Sequence, residues 1–253
     1  ISINYCKKYN LNFILDTCKS FENVLLEASA FGLSKTTKNG KVQLAFLQNN
    51  DKINQFDNVE IDKIFVKSNS CQIYKVLFPD SIFDSIQANS YQEKVVDGKL
   101  GLAIGTDFFS EIPQKYKLLK GIDIEKYAVK SHRYLNNQQN LNWGKANEFL
   151  TPKVLCQRLV AHIENPTPHL KITACFGEEG ILITNTLMSF ELDEKINQKF
   201  WLAYLNSTFL SWYAYNFVYS RAIRGIDFYN FYIQQLPIPK LSLSAQTPFV
   251  KIV

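Results

Sequence analysis

From Phe200 to Tyr219 the chain reads FWLAYLNSTFLSWYAYNFVY, a run without one charged side chain. Such a run has to leave water, either in a bilayer or in a protein core. It is long enough to span hydrocarbon, but Asn206, Ser207, Thr208, Ser211 and Asn216 would then place five polar groups there without evident partners. Asn206 and Ser207 are good helix N-cap residues, so "LNST" predicts two helices meeting at a break, each too short to cross a membrane. "LPIP", Leu236 to Pro239, closes the element because proline continues neither a helix nor a central strand. The 13 aromatics between Phe200 and Tyr232 are therefore expected to support a core, packed against strands that come earlier in the chain.

Those strands are legible as short apolar, β-branched runs. "PKVLCQRLV" (152–160) and "ILITNTLMSFEL" (181–192) have strand density, "FGEEG" (176–180) reads as a hairpin turn, and Gly98, Gly101 and Gly105 read as a tight turn between strands. Nearer the N-terminus, "LNFILDT" and "VQLAFLQ" read as strands at the edge of an α/β sheet, with "KNG" as a turn before the second. The polar "NNDKINQFDN" (49–58) reads as a linker, and "DKIFVKSNSCQIYKVLF" (62–78) as further strands. "PDSIFDSIQANSYQEKV" (79–95) spaces Ile82, Phe83, Ile86 and Tyr91 for a short amphipathic helix. The fold class expected is α+β, a short-stranded mixed sheet packed with C-terminal helices, with a main boundary between about 50 and 85.

Charge is divided unevenly. Residues 1–112 carry 12 lysines, no arginine and 13 acids, net −1, whereas residues 113–253 carry 12 lysines, four arginines and 10 acids, net +6. Within the second part, "KYKLLKGIDIEKYAVKSHR" (115–133) sets five lysines and an arginine against two acids, which suits an anionic partner such as nucleic acid or, as the plainer alternative, a solvated surface. Five cysteines, Cys6, Cys18, Cys71, Cys156 and Cys175, include no CxxC pair and cannot all pair within one chain, so a reducing, cytoplasmic setting is expected. The opening "ISINYCKKYN" has neither an initiating methionine nor a signal segment, and a piece of a longer chain is expected.

Enzyme motifs are sparse. There is no GxG and no GxxxxGK[ST], so no dinucleotide or phosphate loop can be assigned. Cys156, His162, His169 and Cys175 match no zinc spacing, and no metal site is assigned. Pro79, Asp80 and then Asp97, Gly98, Lys99 fit the loose pattern of a Mg²⁺-dependent PD-(D/E)xK-like nuclease, although Asp97–Gly98 reads as a turn rather than the strand such a site needs. That nuclease and a membrane-associated protein are the alternatives to a binding half whose catalytic half lies elsewhere.

The order of several segments carries a resemblance. Gly121, Asp123, Ile124, Lys126 and Tyr127, then Pro152, Lys153, Val154 and Arg158, then Leu205, Asn206 and Ser207, and finally Leu236 to Pro239 follow one another as in a known family. Over about residues 95–240 the chain resembles the TaqI-like C-terminal specificity domain, the target recognition domain of adenine-N6 DNA methyltransferases and of fused, Eco57I-like type IIG restriction-modification enzymes. Ile122 and Gln157 depart from that pattern. The resemblance implies that residues 1–60 are the C-terminal edge of an α/β methyltransferase domain, with "FENVLLEASAFGLSK" in its late helix-to-strand passage, and that 85–253 form the DNA target recognition domain. It implies double-stranded DNA as partner, no membrane, and a methyltransferase catalytic domain upstream in the same polypeptide. The family's NPPY is absent, its nearest string being "NPTP" at 165–168, and so is the glycine motif for the cofactor. S-adenosylmethionine is accordingly expected in the full-length enzyme, and this piece is expected neither to bind it nor to methylate.

Within that role, lysines attract phosphates while arginine and amide side chains read base edges. Phosphate contacts are expected from Lys120, Lys126, Lys130, His132 and Arg133. Base reading is expected from Arg158, Arg221 and Arg224, with Asn185 and Asn216 as weaker candidates. Arg158 could equally anchor a strand to an acid, and Arg221 and Arg224 could be ordinary cations at a helix C-terminus.

Overall fold

The computed structural model describes residues 9–19, 27–35, 40–48, 52–64, 71–136 and 138–253, and divides into two units, Ile1–Ala88 with Tyr213–Arg224 and Asn89–Trp212 with Gly225–Val253. In the first unit β1 (Asn10–Lys19), β2 (Glu27–Ser34), β3 (Lys41–Gln48) and β4 (Lys52–Glu60) form a sheet in the order β2-β1-β3-β4. β1 runs parallel to β3 and antiparallel to β2, and β3 runs antiparallel to β4. In β3, Val42, Leu44 and Phe46 are buried while Lys41 and Gln43 face water, the period of two that a sheet with one wet face requires. Those three residues join Leu11, Ile14, Ile64, Ile73 and Tyr74 in the unit's core.

The polar segment read as a linker is in fact β4. It is an edge strand, paired on one side only, so alternate residues can be polar while Phe56 and Val59 pack inward. A shift of register between Val42 and Leu44 is accompanied by Asn58 at φ +57°, a left-handed position that asparagine tolerates. Of the further strands expected over 62–78, residues 65–70 lie outside the described residues; the flanks form α1 (Ile61–Ile64) and a 3-10 turn (Ile73–Leu77) instead. The amphipathic helix is present as α2 (Asp80–Ala88), with Phe83 buried.

The second unit is a mixed α+β assembly of small sheets followed by helices. β5 (Val96–Leu100), β6 (Phe109–Ser110), β7 (Lys117–Leu119), the hairpin β8 (Ile124–Glu125) and β9 (Ala128–Val129), and β10 (Arg133–Leu135) lead to α3 (Trp143–Ala146). There follow β11 (Lys153–Gln157), β12 (Leu159–Ile163), β13 (His169–Lys171), β14 (Ala174–Gly177), β15 (Ile181–Ile183) and β16 (Leu187–Leu192). Two four-stranded sheets, β14-β11-β16-β5 and β15-β7-β10-β6, are joined by a core that includes Leu118, Leu119, Leu135, Leu155, Ile183 and Leu187.

Two local expectations need correction. "FGEEG" does turn, with Gly180 at φ +77°, but β14 and β15 belong to different sheets and make no hairpin. Asp97 and Gly98 lie within β5 rather than in a turn, because β5 completes a five-residue antiparallel register with β16. Gly101 follows directly, and its lack of a side chain has a clear cause. A Cβ there would sit 2.7 Å from the Ile183 carbonyl oxygen and 2.6 Å from the Thr184 carbonyl carbon. Gly101→Ala is therefore expected to cost about 2 kcal/mol through forced backbone displacement, seen as a lower denaturant midpoint at unchanged slope. A midpoint equal to that of the parent chain would show that the two backbones can part freely.

The charge-free run folds as α4 (Gln198–Leu205) and α5 (Thr208–Tyr213), separated by Asn206–Ser207. Asn197 caps α4, and the Ser207 hydroxyl accepts the Leu210 N–H at 3.1 Å. Trp201 is fully buried, with its ring 5.4 Å from that of Phe190 on β16, as expected of rings that support a sheet. No helix among the described residues is long and apolar enough to cross a membrane. A single turn of π-helix (Ala214–Val218), β17 (Ile226–Asp227) on β12, α6 (Asn230–Ile233) and α7 (Leu243–Lys251) complete the chain.

Candidate nucleic-acid interface

The basic stretch 115–133 is organised by one acid. Asp123 is only 1% exposed and ends the 3-10 turn Gly121–Asp123. Its carboxylate accepts the Lys120 backbone N–H at 2.8 Å, the Ser131 hydroxyl at 2.7 Å and Arg133 Nη1 at 3.1 Å. Its carbonyl accepts the backbone N–H groups of Lys130 and Ser131. A buried carboxylate is tolerable only when so satisfied. The turn and the hairpin β8–β9 are thereby held in one shape, and the lysines are displayed from a fixed frame.

The five candidates on this stretch have different surroundings. Lys130 is exposed. Lys120 places its Nζ 4.0 Å from the Phe109 ring centroid, a cation–π contact that still leaves its N–H donors usable. Lys126 donates to the Asn206 carbonyl at 2.9 Å, and burial followed by the nearby Lys171 charge pulls its pKa below the ordinary lysine value. Lys171, on β13, is a cation that sequence reasoning passed over, since nothing in its local pattern connects it with Lys126. His132 meets the Tyr134 hydroxyl at 3.1 Å, with the rings edge to face. Arg133 is committed to Asp123, and its Nε lies 3.2 Å from Glu111 Oε1.

Arg158 and Asn185 flank the same turn through intermediaries. Gln157 Nε2 donates to the Gly121 carbonyl at 2.7 Å, and the Gly121 N–H donates to the Thr186 hydroxyl at 2.9 Å. Arg158 bonds the Thr186 carbonyl through its backbone N–H, and its side chain, about a third exposed, sets Nε 2.9 Å from Asp227 Oδ1. That contact is ionic without an aligned Nε–H hydrogen bond, and the Nε itself is buried. Asn185 is half-buried and its backbone N–H is fixed to the Leu102 carbonyl at 2.8 Å. Gln157 and Thr186 are the residues that join the "GIDI" and "PKV" segments, and sequence reasoning noted Gln157 only as a departure.

The remaining three candidates, Asn216, Arg221 and Arg224, belong to the first unit. Arg224 Nε lies 3.5 Å from Glu27 Oε2, and Glu27 Oε1 accepts the Ile223 N–H at 2.7 Å, so the 220–224 segment is tied to β2. Buried Asn216 accepts Arg221 Nε at 2.9 Å, and the Arg221 guanidinium carbon lies 4.5 Å from the Tyr74 ring centroid.

Residues of the nuclease pattern are engaged otherwise. Asp97 meets Lys94 at 2.8 Å and also Asn230, and these two hydrogen bonds hold its carboxyl below the usual carboxylate range. Lys99 pairs with Glu191 at 2.7 Å and Glu148 at 3.0 Å, while Asp80 pairs with Lys63 at 2.7 Å. Among the described residues no three His, Cys, Asp or Glu side chains gather as metal ligands. Cys18, Cys156 and Cys175 are free thiols, and burial pushes Cys175 up to about 12; Cys6 lies outside the described residues.

Comparison with known proteins gives one family match, to the TaqI-like C-terminal specificity domain, over residues 116–238. Solved structures similar to the chain include the type IIL restriction-modification enzyme MmeI in complex with DNA, at 12% identity and TM-score 0.48, covering 85% of this chain and 33% of that one. The type IIG restriction endonuclease BpuSI matches at 8% identity and TM-score 0.48, covering 97% of this chain and 38% of that one. A type I restriction-modification system component matches at 13% identity and TM-score 0.34, covering 62% and 35%. The chain thus spans little more than a third of the length of these structures. No curated protein matches it. The stretch that matches the TaqI-like C-terminal specificity domain, residue 116 to residue 238, contains the Asp123-centred turn and is closed by "LPIP".

Proposed function

We propose that this chain is the target recognition part of an adenine-N6 DNA methyltransferase or of a fused restriction-modification enzyme, binding double-stranded DNA in the cytoplasm. The observation that supports it most is the specificity-domain match, which contains a lysine-rich turn and hairpin fixed on buried Asp123. Enzymes that modify one base within a duplex have to choose a sequence and extrude the base, so a second surface that grips the duplex is required opposite the catalytic domain. In this reading the catalytic motif and S-adenosylmethionine belong to a methyltransferase domain upstream in the same polypeptide, and this chain supplies affinity and sequence choice.

Lys120, Lys126, Lys130 and His132 are the phosphate contacts, with Arg133 chiefly holding their frame through Asp123. Arg158, about a third exposed beside Asp227, and Asn185 are the base readers, with Arg221 and Arg224 as contacts from the first unit and buried Asn216, expected as a weaker base reader, instead holding Arg221. Electrophoretic binding of the chain to duplexes over a salt series tests the proposal. Affinity should fall steeply with salt, and Lys130→Ala should weaken binding to all sequences alike and reduce the salt slope by about one. Binding indifferent to salt would sink the DNA assignment.

A further inference from the structure

Three of the four arginines face carboxylates: Arg133 pairs with Asp123 and Glu111, Arg158 with Asp227, and Arg224 with Glu27. Arg221 differs, since among the described residues it forms no ion pair. Neutral groups hold it instead. The Tyr74 ring lies against its guanidinium, Asn216 Oδ1 takes its Nε–H, and its backbone N–H bonds the Tyr215 carbonyl at 2.7 Å. Asp16 belongs to the same neighbourhood but is committed elsewhere, accepting the Tyr74 hydroxyl at 2.5 Å on one oxygen and the Cys18 N–H at 2.9 Å on the other.

The backbone that presents Arg221 is costly. Ser220 and Arg221 have φ of +48° and +56°, and the preceding turn, Ala214–Val218, is a π-helix. Consecutive left-handed residues that are not glycine, next to a π turn, persist only where the surroundings over-determine them, and they gather at ligand clamps and other functional sites. Here the product is a half-buried arginine whose ring contact, Nε and backbone are all occupied, so the two Nη nitrogens remain as its fork.

Resting on the reading of the chain as a DNA-binding protein, we infer that Arg221 is a preorganised phosphate anchor, taking a backbone phosphodiester of the duplex on its two Nη nitrogens rather than reading a base. A planar fork with little freedom left to lose matches two phosphate oxygens. A side chain tied at Nε within its own loop has little reach into a groove, whereas phosphates are the outermost groups of a duplex. Among the described residues no acid pairs with this half-buried charge, so a phosphate anion is a favourable partner for it.

The test uses the full chain, a preferred duplex selected from a random library, and an unrelated duplex of the same length. Arg221→Ala is expected to weaken both duplexes by a similar factor and to reduce the slope of log affinity against log salt by about one. Arg221→Lys should restore the slope but remain several-fold weaker, having the charge without the fork. A loss confined to the preferred duplex would make Arg221 a base reader and overturn the inference, as would an unchanged slope in the alanine variant. Should circular dichroism show that Arg221→Ala does not fold, Arg221→Gln, which keeps a donor toward Asn216 without the charge, is read by the same criteria. If the unsubstituted chain shows no salt-dependent binding, the DNA-binding reading itself fails, an outcome visible without any variant.

Discussion

Asp123→Ala is expected to destabilise the second unit by about 3 kcal/mol, because it strips partners from several groups at once. The Lys120 N–H and the Ser131 hydroxyl would lose their acceptor, and Arg133 would keep only the exposed Glu111. The figure is held below that of a fully buried pair because Arg133 is about a third exposed and can recover water. Urea unfolding of the parent, Asp123→Ala, Arg133→Met and the double variant measures it, with the cycle isolating the ionic part. The two single losses should not add, since each removes the same contact. A loss below about 1 kcal/mol for Asp123→Ala would mean that backbone pairing, not the acid, sets the turn. DNA affinity should drop with stability here, since the acid is the fixture from which Lys120 and Lys130 are displayed.

Asn206→Ala should cost about 1–3 kcal/mol by a different route. The Asn206 side chain accepts the Ala174 N–H at 3.1 Å and donates to the Ala174 carbonyl at 2.9 Å, both at a fully buried residue of β14. Alanine would leave the buried Ala174 N–H unsatisfied away from water, while the Ala174 carbonyl would keep the Tyr127 backbone N–H at 2.8 Å. Asn206→Asp is the sharper variant. It keeps an acceptor for the N–H but points a second oxygen at the Ala174 carbonyl, so it should be at least as destabilising as alanine despite its near-identical shape. Thermal and denaturant unfolding of the two variants settles the order. An aspartate variant as stable as the parent would show that the amide donor contributes nothing.

These two residues also show how far the sequence could be read. "LNST" announced a helix break because Asn and Ser are capping residues, and the break is where it was expected. That the Asn206 amide would instead clasp a strand 32 positions earlier has no local signature, because a side chain's long-range partner leaves no periodicity. Strands such as Lys41–Gln48 were legible from their length and their β-branched and aromatic content, whereas the polar edge strand Lys52–Glu60 was mistaken for a linker, since one-sided pairing relaxes the demand for apolar residues. At the candidate interface, composition located the basic stretch but could not separate lysines on display from an arginine spent on an acid. Nor could it foresee Tyr74, whose ring under Arg221 is brought there only by the packing of the first unit.

The discontinuous first unit bears on how recognition modules of this kind can be exchanged. A graft cut at the limits of the family match, 116 and 238, would carry Tyr213–Arg224 with it and so remove a structural strand of chain from the unit left behind. Arg221 would travel without Tyr74, and Arg224 without Glu27. A cassette that respects the architecture would transplant 89–212 and 225–253 while the recipient keeps its own counterpart of 213–224. Chimeras built on the two sets of cut points should therefore differ in solubility and yield before they differ in the sequence they select.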